Sequence, residues 1–244
     1  MYQSLLKPAF IDIKNFVLET LFPTTCLGCE VEGELICADC KVSLKKLEHQ
    51  RCIVCQKPTP FGLTHSYCQT AYGADGLISF YDYHDEKVAK IIIAGKYHFI
   101  PAIYEILGTM IAQKLKNDHA HLLSTNHLAL TPIPLHFTRK RWRGFNQAEI
   151  LCQTLSQTLA LPHTSVLVRC KLTKTQKDLK KEKRLKNMID AFAVVGNGLD
   201  HSLRGKSFIL VDDVTTTGAT LQQAASTLKR AGASKVFCLT VARD

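Results

Sequence analysis

Two groups of residues in this chain have the types and spacing to do chemistry. The first is Asp212, Asp213, Val214, Thr215, Thr216, Thr217, Gly218, Ala219 and Thr220, directly after the apolar run Phe208 to Val211. A threonine-rich loop leading into a helix offers a phosphate hydroxyl donors, N–H groups and the positive end of a helix dipole, and Gly218 lets the backbone come close. The paired carboxylates would repel that phosphate. They make sense if the ligand carries hydroxyls beside its phosphate, as a ribose does, with a divalent cation elsewhere on the molecule. A blander reading has the aspartates capping the following helix, and a sharper rival has them binding magnesium at a strand end, although that chemistry does not need the threonines. Because two carboxylates crowd one turn, replacing both with alanine is expected to leave the ligand-free fold as stable as before or slightly more so.

The second group is cysteine. Seven of the ten cysteines fall between Cys26 and Cys68. Cys26-x2-Cys29 and Cys37-x2-Cys40 put four thiolates on two tight turns, the donor set of a tetrahedral structural zinc. Cys52-x2-Cys55 opens a second set that ends in His65-x2-Cys68, with Ala71 where a further cysteine would complete the pair. Two readings of this set stay open: His65 completes a second zinc site, or the site has decayed to buried thiols. A full set of protein ligands leaves no position for a substrate, so both sites read as structural. Clustered CxxC pairs point to metal in a reducing cytoplasm, not to secreted disulfides.

The elements that must position these groups follow from hydrophobic period. Leu77 to Tyr83 reads as a strand, Val88 to Ala94 as a short helix, and Ile103 to Leu115 as a longer one. Leu128 to Pro134 reads as a buried strand, and Ala148 to Leu159 as a helix. Val166 to Val168 and Phe192 to Val195 read as short strands, Phe208 to Val211 as the strand before the acids, Leu221 to Leu228 as the helix after the loop, and Val236 to Val241 as the strand that closes the sheet. Alternation of strands and helices predicts a parallel sheet with helices on its faces. A chain of 244 residues accommodates one substantial core and a small module, so a division into 1–72 and 73–244 is expected. Residues 1–22 repeat apolar side chains at Leu6, Phe10, Ile13, Val17 and Leu21, but Lys7, Asp12, Lys14 and Glu19 interrupt them. That excludes a signal peptide or a membrane span and predicts an amphipathic helix packed on its own protein. A partner helix, or peripheral attachment at the inner membrane, is the alternative.

Charge is concentrated. The net charge is +10, and residues 139–187 hold thirteen Lys or Arg against three Asp or Glu, so this region contains the whole excess. Arg139, Lys140, Arg141 and Arg143 interleave with Trp142 and Phe145, a pattern suited to a phosphate backbone with bases stacked on rings. Lys180, Lys181 and Arg184 lie in an acid-poor stretch, 171–186, that reads as a loop. Single-stranded DNA is the expected partner, the alternative being that the cations only neutralise a pyrophosphate-bearing ligand.

The Asp-Asp-Val-Thr-Thr-Thr-Gly-Ala-Thr stretch resembles the 5-phosphoribosyl-1-pyrophosphate (PRPP) signature of type I phosphoribosyltransferases. The chain as a whole resembles the competence protein ComF family: an apolar N-terminal helix, a cysteine-rich double ribbon, Gly95-Lys96-Tyr97, Pro132-Ile133-Pro134-Leu135-His136, Arg141-x-Arg143-Gly144-Phe145-Asn146-Gln147-Ala148, Thr175-Gln176, Arg184-x2-Asn187 and the PRPP stretch. The resemblance implies an α/β phosphoribosyltransferase-like domain with a parallel sheet flanked by helices, preceded by a small double zinc ribbon. It implies that Asp212 and Asp213 hold the ribose hydroxyls, that Thr215 to Thr220 hold the 5′-phosphate, and that Lys96, Leu135 and His136 contact the pyrophosphate, with magnesium accompanying PRPP. It further implies a role in natural transformation, with single-stranded DNA and competence-machinery proteins as partners, and either no transfer reaction or transfer to an unidentified acceptor. His98 and Phe99 depart from the family pattern after the Lys-Tyr pair, as does Lys174-Thr175 in place of prolines.

Overall fold

A computed structural model describes residues 23–170, 191–195 and 203–244. The chain divides into two compact units, Met1–Leu44 and Lys45–Asp244. The described part of the first unit is a cysteine turn and helix α1 (Ala38–Ser43), with Cys37 at the N-cap of the helix and Cys40 within it.

The second unit begins with the other cysteine set and continues as an α/β domain. In order come β1 (Gly76–Asp82), α2 (Glu86–Tyr97), α3 (Ala102–Asp118), α4 (Ala120–Leu123), β2 (Leu128–Pro132), α5 (Phe137–Arg143), α6 (Gln147–Leu159), β3 (Leu167–Arg169), β4 (Phe192–Val194), β5 (Ser207–Thr215), α7 (Ala219–Arg230) and β6 (Lys235–Arg243). The main sheet has the order β1-β6-β5-β2, and every pairing in it is parallel. Phe208 to Val211 and Val236 are fully buried, as strands covered on both faces must be. The helix after the acids buries Leu221, Ala224, Ala225 and Leu228, the four positions that its spacing marks. Each fully buried leucine of this kind contributes about 1.5–3 kcal/mol.

Three details differ from the expectation. The final strand does not close the sheet but runs in its interior, between β1 and β5. Its partners fix this: Phe237 stands opposite both Gly76 and Ile209. The two short strands, β3 and β4, leave the parallel sheet and pair antiparallel as a separate ribbon. The strand before the acids is longer than its apolar run, because Asp212 to Thr215 keep pairing with β6 as far as Thr215 opposite Arg243.

That extra length makes the site. β2 ends at Pro132 opposite Val211, so Asp212 to Thr215 project beyond it with β6 on one side only. Beyond Pro132 the contact continues with one bond, Ile133 N donating to Val211 O at 2.9 Å. Open α/β sheets bind ligands at such a carboxyl-terminal edge.

Candidate functional site

Asp213 is buried, and its carboxylate meets Lys96 with Oδ2 to Nζ at 2.7 Å, the two side chains being 4% and 19% exposed. Lys96 lies in the last turn of α2, beside Gly95, whose missing Cβ leaves room for the Tyr104 ring: a Cβ there would stand 2.9 Å from it. Burial opposes the charge on Lys96, but the Asp213 carboxylate overcomes it and the amine is held above its ordinary value. The neighbouring Asp212 behaves differently. Burial first, and then the charge of Asp213, push its carboxyl up to about 7. The two acids are therefore not equivalent: Asp213 is paired with Lys96, whereas Asp212 holds its proton to near neutrality. Asp212 and Asp213 also accept backbone N–H bonds from Asp213 and Val214, at 2.9 Å each, which fixes the carboxylates locally and leaves them outside the cap of α7.

That helix is capped by no side chain. Its N-cap is Gly218 in the left-handed region, φ 77°, and Thr217 Oγ1 accepts from Ala219 N at 3.4 Å. Thr215 is buried, and its carbonyl accepts from Asp244 N at 3.0 Å. A helix N-terminus of this kind has N–H groups that an anion can accept from.

Across from this loop runs the segment after β2. Ile133 N donates to Val211 O at 2.9 Å, and Asn146 Nδ2 donates to Ile133 O at 3.1 Å while its Oδ1 caps α6 by accepting from Ala148 N. Leu135 and His136 are half-buried there. The His136 ring has a structural duty: Nδ1 accepts from Thr138 N at 3.3 Å and caps α5.

The basic cluster is a helix that sequence period does not reveal. α5 carries Arg139, Lys140, Arg141, Trp142 and Arg143 and ends at Gly144, φ 81°. Lys140 pairs with Glu149 at 3.0 Å, and Arg143 Nη1 donates to Gln147 Oε1 at 2.7 Å. The Arg141 guanidinium lies 5.6 Å from the Phe137 ring centroid. Trp142 is 58% exposed and sits edge-on to Phe99 and Tyr97, with centroids 5.2 and 6.1 Å away. Phe145 does not join them. The left-handed turn at Gly144 sends it back to a half-buried place beside Tyr104, centroids 6.1 Å apart, so it is no open stacking face. Tyr97 and Phe99, both exposed, stand against Trp142 instead; neither stands out in sequence because the three rings come from two distant segments. Arg169 also escapes a sequence reading: it is largely desolvated by burial and lies close enough to Arg139 and Asp212 to feel both charges. Lys180, Lys181 and Arg184, the 171–186 loop and the N-terminal helix lie outside the described residues.

Both cysteine sets come together. The four sulfurs of Cys26, Cys29, Cys37 and Cys40 lie within 4.8 Å of one another, and so do the donor atoms of Cys52, Cys55, His65 and Cys68. Tetrahedral zinc with Zn–S of about 2.3 Å requires sulfur–sulfur edges of roughly 3.8 Å; the Cys29–Cys37 separation is 3.6 Å. In the second set His65 Nδ1 stands 3.3 Å from Cys55 Sγ, and Nε2 stands 3.1 Å from Pro58 O. That arrangement holds the tautomer in which Nδ1 is the ligand and Nε2–H donates to the carbonyl. The donor chemistry fits structural zinc. Among the described residues no helix is long and apolar enough to cross a membrane.

Two family models match different parts of the chain. Residues 17–71 match the family described as double zinc ribbon domain, and residues 100–244, more than half of the chain, match the phosphoribosyl transferase domain. Competence protein ComFC of Bacillus subtilis strain 168 is 30% identical over 225 residues, which is 86% of this chain and 85% of that one. Competence protein F of Haemophilus influenzae is 36% identical over 116 residues, 47% of this chain and 50% of that one. DNA utilization protein YhgH of Escherichia coli K12 is 39% identical over 141 residues, 54% of this chain and 60% of that one. The match thus spans half to three fifths of the last two relatives. Among solved structures, glutamine PRPP amidotransferase from B. subtilis, complexed with ADP and GMP, is 17% identical with a TM-score of 0.37, covering 56% of this chain and 25% of that one. A likeness at that score bears no weight by itself.

Proposed function

The chain belongs to the competence protein ComF family, with a double zinc ribbon and a phosphoribosyl transferase domain, and from that premise we propose that it serves competence by binding PRPP and handling single-stranded DNA. The observation that carries the PRPP half is the unequal acid pair beyond the end of β2, next to a helix end capped by no side chain.

In this reading Asp212 and Asp213 accept from the ribose 2′ and 3′ hydroxyls, and the 215–220 loop receives the 5′-phosphate. An Asp212 that keeps its proton near neutrality reduces the repulsion a second carboxylate would exert on the ligand. Lys96 neutralises Asp213 in the ligand-free state and supplies a cation next to the pyrophosphate once a hydroxyl takes over Asp213. Leu135 and His136 line the pyrophosphate side. Magnesium, if bound with the ligand, would balance the pyrophosphate charge. The DNA half rests on α5: its cations follow the phosphate backbone, and Trp142 with Tyr97 and Phe99 offers faces for bases. Lys180, Lys181 and Arg184, which lie outside the described residues, are proposed as further phosphate contacts on their charge alone.

A second reading, a phosphoribosyltransferase with an unassigned acceptor, is favoured by Arg169, which lies close enough to Asp212 and to Arg139 to feel both charges, since departing pyrophosphate needs cations. One experiment separates the two: incubate protein and magnesium with PRPP, with and without single-stranded DNA, and measure PRPP binding and pyrophosphate release together. Binding without release supports the handling role; steady release supports transfer; neither binding nor release refutes both.

A further inference from the structure

The second cysteine set does more than fold its own turn. Its first knuckle, Cys52 to Gln56, lies directly on Thr217 and Gly218. A Cβ on Gly218 would come within 2.7 Å of Ile53 Cγ1 and 3.3 Å of the Ile53 carbonyl oxygen, so the loop glycine is needed as much for this approach as for its φ of 77°. Ile53 is buried. The Gln56 carboxamide bridges the two segments: Nε2 donates to Ile53 O at 3.0 Å and to Thr217 O at 3.4 Å, and Oε1 accepts from Arg243 Nη2. Arg243 Nη1 in turn donates to Arg51 O at 2.7 Å, and Arg243 stands opposite Thr215 in the sheet.

Gln56 itself holds φ 64°, a conformation in which a residue with a Cβ is strained. It follows Cys55 at the tight corner of the knuckle, with Gln56 N donating to Cys52 O at 3.0 Å. Glycine would satisfy that corner without strain. What glutamine adds is the set of bonds to Thr217, Ile53 and Arg243.

We infer that the Cys52–Gln56 turn is a positioning element of the phosphate loop, so that assembly of the second metal-ligand set and affinity for the phosphate-bearing ligand are linked. Ile53, Gln56 and Arg243 act through the loop, not on the ligand. Their effect is preorganisation: a loop held from beneath loses less freedom when its N–H groups close on a phosphate. This rests on the PRPP reading of the loop.

The test uses the full-length chain. Gln56→Gly relieves the left-handed strain yet removes the bridge, and Ile53→Ala opens space beneath Gly218. Zinc content, amide hydrogen exchange at residues 216–220, and calorimetric affinity for PRPP with magnesium are measured on each, with Ile53→Val as the conservative control. Both variants are expected to keep their zinc, to exchange faster in the loop, and to bind PRPP about 2–10-fold more weakly, the equivalent of one net hydrogen bond; Ile53→Val should match wild type. Cys68→Ser, which breaks the second set away from the loop, should also weaken PRPP. Unchanged loop exchange and unchanged PRPP affinity in Gln56→Gly and Ile53→Ala would overturn the inference. If wild-type protein itself fails to bind PRPP, the ligand reading falls, and loop exchange alone decides whether the turn positions the loop.

Discussion

At the scale of residues, the two aspartates that look alike in sequence part company in the fold. Replacing both was expected to be harmless or mildly stabilising, but Asp213 neutralises a buried lysine, and removing it strands that charge. Asp213→Asn should cost about 3–5 kcal/mol in denaturant unfolding, and adding Lys96→Met should restore much of it, because both charges then leave together. Asp212 has the opposite sign. Its folded pKa, about 7, lies above the unfolded value, so between roughly pH 4 and pH 7 the folded state binds more protons than the unfolded chain. The contribution of Asp212 is full below that window and is lost as pH rises through it. The melting temperature of wild type relative to Asp212→Asn should therefore fall from pH 4 to pH 7, and at pH 8 the variant should be more stable by roughly 0.5–2 kcal/mol. A flat difference curve would mean that Asp212 titrates normally.

At the scale of elements, the zinc turns and the basic helix make separate predictions. Metal analysis of untagged protein should find two zinc atoms per chain, and Cys29→Ser should lower solubility because ribbon folding is metal-coupled; folded protein without zinc would contradict this. On α5 and against it, Trp142→Ala and Phe99→Ala should each weaken single-stranded DNA binding by about 1–3 kcal/mol while PRPP affinity is retained. Reversing Arg139 and Arg141 should flatten the salt dependence, whose slope is roughly −0.7 per phosphate contacted. The parallel sheet, the acid-bearing strand and the helix after it were legible because buried strands and amphipathic helices announce themselves by period. α5 was not, since a seven-residue polar helix buries none of its residues and has no apolar stripe to read. Its boundaries were nevertheless written in residue types: glycine at its C-cap, and beyond it Asn146 with Glu149 three residues later, the start signal of α6. Phe145 was misplaced for the same reason, because only the left-handed Gly144 turns it inward. The Trp142–Phe99–Tyr97 cluster and the Gln56–Thr217 bridge join segments far apart in the chain, which no local pattern records.

At the scale of the whole molecule, motif types place a boundary near residue 72, whereas compactness divides the chain at Leu44 and Lys45. The second cysteine set therefore belongs physically to the α/β unit, where Arg243 and Gln56 tie it to the sheet and the loop. In the proposed reading the unit is built around one ligand: a strand that outruns its neighbour, an acid pair with divided roles, a helix end capped by no side chain and the Cys52–Gln56 turn against it all converge on the 212–220 segment. Calorimetric titration of PRPP with magnesium into wild type and into the Asp212→Asn/Asp213→Asn/Lys96→Met variant, whose fold is checked by its melting curve, tests that claim most directly. Saturable binding by wild type and none by the folded variant is the predicted result. Equal binding by both, or none by wild type, would contradict it.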